Sequence, residues 1–236
     1  MNILVSFANP KMGAKLFGLA RSLFAKSGQD LSIVALHIIS VESESEGFPR
    51  LTEDEIFESV RQEAAGANLN FETVGFPSDW IVPGIVEMAR TKEADLLLLG
   101  ASGSLFSNDL LGGRVGEILH ELSDSDIAVL ADNGLRSPIE PVLLAPGIAS
   151  MELFPLAEGL SKFIQKPIAV HAGSAPEEYS LETSSHFVPW LPFSLQEDHF
   201  IDKNLVILEY DTYKGFHSHL LDMKNVSYLI LRKGNR

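Results

Sequence analysis

Four leucines in a row, Leu96 to Leu99, run straight into Gly100, and no other stretch of the sequence constrains the fold as much. A strand that is apolar at every position has no face to give to water, so it belongs inside a sheet covered on both sides. Ser32 to Ile39 is a second strand of the same kind. Parallel strands joined through helices supply such cover, and the expected class is α/β with a doubly wound parallel sheet. The remaining pattern of the first half agrees. Ile3, Leu4 and Val5 form a short apolar run, Asn9-Pro10 punctuates it, and Met12, Leu16, Leu19, Ala20 and Leu23 follow at helical spacing. Thr52 and Glu55 stand in capping-box spacing, each side chain able to satisfy a free backbone amide, ahead of the stripe Ile56, Val60 and Ala64. A third strand is expected near Leu69 to Val74. A helix then runs from about Asp79 to Lys92, with Asp79 as its N-cap and Pro83 tolerated in its first turn. Val115, Ile118, Leu119 and Leu122 mark a further helix, and Ile127 to Leu130 a last strand.

The second half begins the same way, with a strand Pro141 to Ala145, a Pro146-Gly147 turn, a helix from about Met151 to Gln165 and a strand Ile168 to His171. From Gly173 to Phe200 the pattern dissolves into Pro, Ser and Glu, which predicts irregular structure, with Trp80 and Trp190 read as packing residues. A strand Asn204 to Tyr210, a short helix near Phe216 to Met223 and a strand Val226 to Arg232 complete the chain. The turn-forming cluster from Asp132 to Pro138 is the natural joint, giving domains 1–135 and 136–236, the second a smaller and degenerate version of the first.

Charge and composition remove whole classes of function. The formal charge is -14, with 9 basic and 20 acidic side chains in residues 1–135 and 9 and 12 in residues 136–236. Such a surface repels a nucleic-acid backbone. There is no cysteine, hence no disulfide, thiolate nucleophile or Cys-based metal site, which is compatible with a reducing cytosol. Apolar runs stay well short of the roughly 20 residues that span a bilayer, and Met1 to Phe7 reads as a strand without a basic leader.

The stretch from Gly100 to Arg114 lies between a buried strand and an amphipathic helix. In an open parallel sheet, ligands collect beyond the carboxyl ends of the strands, where a helix N-terminus offers free amides to an anion. Gly100, Gly103 and Gly113 would let the backbone approach phosphate oxygens, Arg114 could add a charged fork, and the alternative is a loop whose glycines merely permit tight turns. No GxxxxGK[ST] occurs, and Gly100-Ala101-Ser102-Gly103 misses a nucleophile elbow by one glycine position. Without a base, a metal pair or a Walker lysine, catalysis is not expected. His217 and His219 near Asp211 would share a face on a strand but not on a helix, and no metal site is expected from them. Glu42, Glu44, Glu46, Glu53, Asp54 and Glu55 read as a solvated acidic run.

The first strand, the Leu36-His37-Ile38 strand and the spacing of Gly100, Gly103 and Gly113 together resemble a universal stress protein domain over most of residues 1–135. The resemblance implies a Rossmann-like fold in which the glycine loop, here Gly100, Ser102, Gly103, Gly113 and Arg114, holds the phosphates and ribose of ATP or AMP, with Ile38 near adenine. The chain departs from the family's nucleotide binders at Ala8, where they carry Asp, and at Arg114, where they carry Ser or Thr. Phe7-Ala8-Asn9-Pro10 resembles the cytosolic C-terminal region of bacterial cation/proton antiporters, which often carry two such domains, the second degenerate. That kinship implies a cytoplasmic regulatory module at the inner face of the membrane, a homodimer, and a transmembrane antiporter portion in the same polypeptide, with Met1 an internal boundary. The alternatives are a free-standing tandem stress protein that binds ATP or AMP, and a ligand-free dimerisation scaffold.

Overall fold

The computed structural model describes residues 1–24, 30–39, 51–67, 69–101, 113–147, 153–172, 191–192, 200, 202–221 and 225–235. Two compact units are distinguished. The first comprises Met1–Arg21, Gly28–Ala128 and Lys233–Arg236, the second Ser22–Ser27 and Val129–Arg232.

From residue 2 to residue 131 the elements alternate as the hydrophobic pattern requires: β1 (Asn2–Ser6), α1 (Pro10–Phe24), β2 (Ser32–Ile39), α2 (Glu53–Ala64), β3 (Asn70–Pro77), α3 (Ile81–Thr91), β4 (Leu96–Ala101), α4 (Gly113–Glu121) and β5 (Asp126–Ala131). The strands lie in the order β3-β2-β1-β4-β5. β1 is parallel to both β2 and β4, with Ser6 opposite Leu36 on one side and Leu99 on the other. Leu97 and Leu98 are fully buried, as the all-leucine strand demands. Right-handed crossovers place α1 and α2 on one face and α3 and α4 on the other. An Arg21–Glu63 ion pair at 2.8 Å ties α1 to α2, and Arg90 donates to the Glu121 carbonyl at 3.2 Å to tie α3 to α4.

The capping box of α2 forms as its spacing predicts, Glu55 N–H donating to Thr52 Oγ1 and Thr52 N–H to Glu55. Two expectations at α3 fail. Its N-cap is Trp80, without a side-chain cap bond, so Asp79 does not cap the helix. Ser78 holds the turn instead, its hydroxyl donating to the Trp80 carbonyl at 2.8 Å and accepting from the Trp80 amide. That bond serves the Trp80 amide, whereas a cap at Asp79 would have accepted from Ile81 or Val82. Trp80 is not a packing residue either, since 66% of its surface is exposed.

The second unit contains β6 (Pro141–Ala145), α5 (Phe154–Ile164), β7 (Ala169–Ala172), β8 (Leu191–Pro192), β9 (Leu205–Glu209), α6 (Tyr210–Leu221) and β10 (Ser227–Arg232), with strand order β10-β9-β6-β7-β8. Taken from its own first strand outward, the succession repeats that of the first unit. β8 lies within the stretch expected to be irregular, pairing parallel to β7 through His171–Leu191 and Ala172–Pro192. α6 starts at Tyr210, earlier than the pattern near Phe216 suggests, directly from the end of β9. It carries positions 217 and 219, which a helix sets about 200° apart. Trp190 lies outside the described residues.

Candidate functional site at the end of the first sheet

The order β3-β2-β1-β4-β5 reverses direction between β1 and β4, and a doubly wound sheet opens its ligand crevice at that switch point. The residues that flank it are the last of β1, the turn into α1, and the end of β4.

The turn is built by Asn9-Pro10. Asn9 Oδ1 accepts from the Met12 amide at 2.9 Å and the Asn9 carbonyl from the Gly13 amide at 3.1 Å, so Asn9 caps α1 and Pro10 takes the first helical position, where a missing N–H costs nothing. Phe7 turns its ring onto this first turn. A Cβ at Gly13 would stand 2.9 Å from three atoms of the ring, which is why the position accepts no side chain without a shift. Phe7 meets Phe57 edge-on at 5.8 Å and His37 at 5.7 Å. His37 Nδ1 lies 3.0 Å from the Phe7 carbonyl, a geometry that assigns the proton to Nδ1. Burial lowers the His37 pKa, and the bond to the Phe7 carbonyl opposes that shift in part.

The cap fixes where Met12 goes. A Cβ built on Gly100 would lie 2.5 Å from Met12 Cγ and 2.9 Å from its Sδ, so the bare side of Gly100 is taken up by a thioether chain of the same unit. Met12 is itself partly exposed. Ile38 faces away. Leu36 shares a face with Ser6 and Leu99 through the strand register, so Ile38 lies on that face and Gly100, one residue beyond Leu99, on the other. Ile38 Cδ1 packs 3.1 Å from the place of a Cβ at Gly84 in α3. Gly113 (φ 51°) and the exposed Arg114 open α4. Ser102 and Gly103 lie outside the described residues. Ala8 is exposed and brings no carboxylate to the end of β1.

Sequence reasoning gave Met12 and His37 no role at the site. Met12 follows the Asn-Pro turn at the third helical position, which is the signal that aims it towards the strand ends, but only the fold reveals what lies beneath it. Among the described residues no group of three or more His, Asp or Glu side chains could hold a metal ion, and no helix is long and apolar enough to cross a membrane.

The fold is that of universal stress proteins. A universal stress protein from Archaeoglobus fulgidus DSM 4304 is similar at 15% identity, the match covering 99% of this chain and 97% of the other, with a TM-score of 0.64. The cytoplasmic domain of a prokaryotic cation chloride cotransporter is similar at 13% identity over 98% of this chain and 95% of its own, with a TM-score of 0.62. No family model matches the sequence, and no curated protein is similar to it.

Proposed function

We propose that the chain is a cytosolic regulatory module of a cation/proton antiporter, built from two universal-stress-like domains, and that an adenine nucleotide enters its first domain only when Met12 leaves the crevice. The regulatory part is supported by the fold shared, over nearly the full length of both chains, with a transporter's cytoplasmic domain. The Phe7-Ala8-Asn9-Pro10 run supports the antiporter in particular.

One observation carries the nucleotide part: Met12 seated on Gly100, where the family's phosphate loop begins. A bound nucleotide would have to displace that side chain, so occupancy and the position of α1's first turn are linked. Such a ligand shifts a module between two arrangements by the difference in its affinity for them, and by nothing else. Two features weaken the closed form's hold on a nucleotide further: Ala8 offers no carboxylate, and Ile38 packs on the opposite face of the sheet.

Isothermal titration of the full chain with ATP and AMP tests this. Met12→Ala should bind ATP at least about tenfold more tightly than the unaltered chain, the equivalent of roughly 1.4 kcal/mol released by removing the plug. Equal affinity in the two proteins would make Met12 a bystander, and no binding to either would favour the ligand-free scaffold. A reading frame continuous with the codon for Met1 and rich in apolar spans of about 20 residues would support the antiporter.

A further inference from the structure

β3 is the outermost strand of the first unit, hydrogen-bonded to β2 along all eight residues and to no other strand among those described. Its register fixes which groups remain open. The Asn70 amide donates to the Leu31 carbonyl at 3.2 Å and the Ser78 amide to the Ile39 carbonyl at 3.1 Å, so the even-numbered residues turn their backbone groups inward. The N–H and C=O of a strand residue point to the same side and alternate along the chain. Phe71, Thr73 and Gly75 therefore present three N–H and three C=O groups outward. Pro77 falls on the outward set as well, the one place in a strand where a missing N–H breaks no ladder.

The two faces beside this edge differ in charge. On the α3 face, Glu72 is paired with Lys92 at 2.7 Å. On the α2 face, the exposed Glu53, Asp54, Glu55 and Glu58 are met by Arg61 alone on that helix, and it is paired with Asp54 at 2.8 Å. Glu53 reaches the edge itself: its Oε1 lies 3.7 Å from where a Cβ at Gly75 would stand, on the side that an opposing strand residue would share.

We propose that the β3 edge receives an extended segment rich in Lys or Arg, which pairs with the backbone of Phe71, Thr73 and Gly75 and sets a cation against Glu53. A strand added in this way takes its affinity from main-chain bonds and its specificity from alternate side chains. A second copy of the chain is disfavoured as occupant, because a two-fold pairing of β3 brings the acidic α2 of each copy alongside the other. The segment's source rests on the regulatory reading above: the cytosolic segments that flank membrane spans carry an excess of Lys and Arg.

The test uses the full chain and a seven-residue probe peptide alternating valine and lysine, with a valine–glutamate peptide of the same length as control. The lysine peptide should slow amide hydrogen exchange at Phe71, Thr73 and Gly75, and the glutamate peptide should not. Glu53→Gln should weaken binding about two- to fivefold, as for an exposed ion pair. Thr73→Pro, which removes an outward donor and no bond to β2, should abolish it with circular dichroism unchanged. If that variant fails to fold, Glu53→Gln decides. Equal binding of both peptides, or an unaltered affinity of Glu53→Gln, overturns the proposal. So does protection of these amides without peptide: dependence on protein concentration would then assign the edge to a second copy, and independence of it to the chain's own residues. Because the probe is not a transporter fragment, loss of the antiporter reading leaves this result standing, and the reverse also holds.

Discussion

At the scale of single residues, His37 is a group whose chemistry depends on its surroundings. It sits at the end of β2 under the ring of Phe7, and burial holds its pKa below the ordinary value near 6.5. Between the lowered folded value and 6.5 the unfolded chain binds more protons than the folded one, so stability rises with pH through that window. The contribution is complete above about 6.5 and is lost as the pH falls towards the folded value. In urea unfolding at pH 7.5 and 5.5, His37→Gln should show a smaller loss of stability on acidification than the unaltered chain. An identical loss in both proteins would assign the acid sensitivity to other groups. Gly100 makes the complementary point. Its lack of a side chain is legible in the sequence, and the phosphate reading and the tight-turn reading both explain it there. The structure supplies a third reason, the Met12 side chain lying where a Cβ would go. Nothing local to residue 100 encodes that contact.

At the scale of elements, local chemistry was a good guide wherever it closed on itself. Thr52 and Glu55 satisfy each other's amides within one turn, so the start of α2 follows from their spacing alone. Thr52→Ala should cost about 0.5–2 kcal/mol in chemical denaturation, and a smaller cost would mean that the packing of Ile56, Phe57 and Val60 holds the first turn unaided. The start of α3 shows where this guide fails. Asp79 and Ser78 are both good capping residues, yet neither side chain caps α3. The Ser78 hydroxyl closes on Trp80, because Ser78 is already held by its own amide bond to Ile39 at the end of the β2–β3 ladder. The extra length of β3 has the same cause. Leu69 to Val74 carries the apolar signal, but pairing with β2 continues to Pro77.

At the scale of the molecule, the units are not contiguous in sequence. Lys233–Arg236 belongs to the first unit although it ends the chain, and there Gly234 N–H donates to Asp126 Oδ1 at 3.0 Å, Asn235 N–H to the Ser123 carbonyl at 3.0 Å, and Lys233 pairs with Asp126 at 3.2 Å. Deleting residues 233–236 should destabilise the first unit by about 1–3 kcal/mol, the worth of one backbone bond, one amide-to-carboxylate bond and an exposed ion pair. That is a fall in melting temperature of roughly 2–4 °C per kcal/mol. An unchanged melting temperature would mean that the tail only lies against the unit without supporting it. A chain cut after residue 135 would lose the same bonds.

What the sequence determined by itself is the class of fold and most of its elements, because these depend on periodicity and capping within windows of a few residues. The leucine strand had to be interior, and its neighbours had to alternate with helices. Only the tertiary structure decided what stands at the switch point: that Phe7 covers Gly13, that Met12 covers Gly100, and that Ile38 faces the other side of the sheet. These contacts join residues of different strands and helices, and strand order and register fix them after the local patterns have been spent.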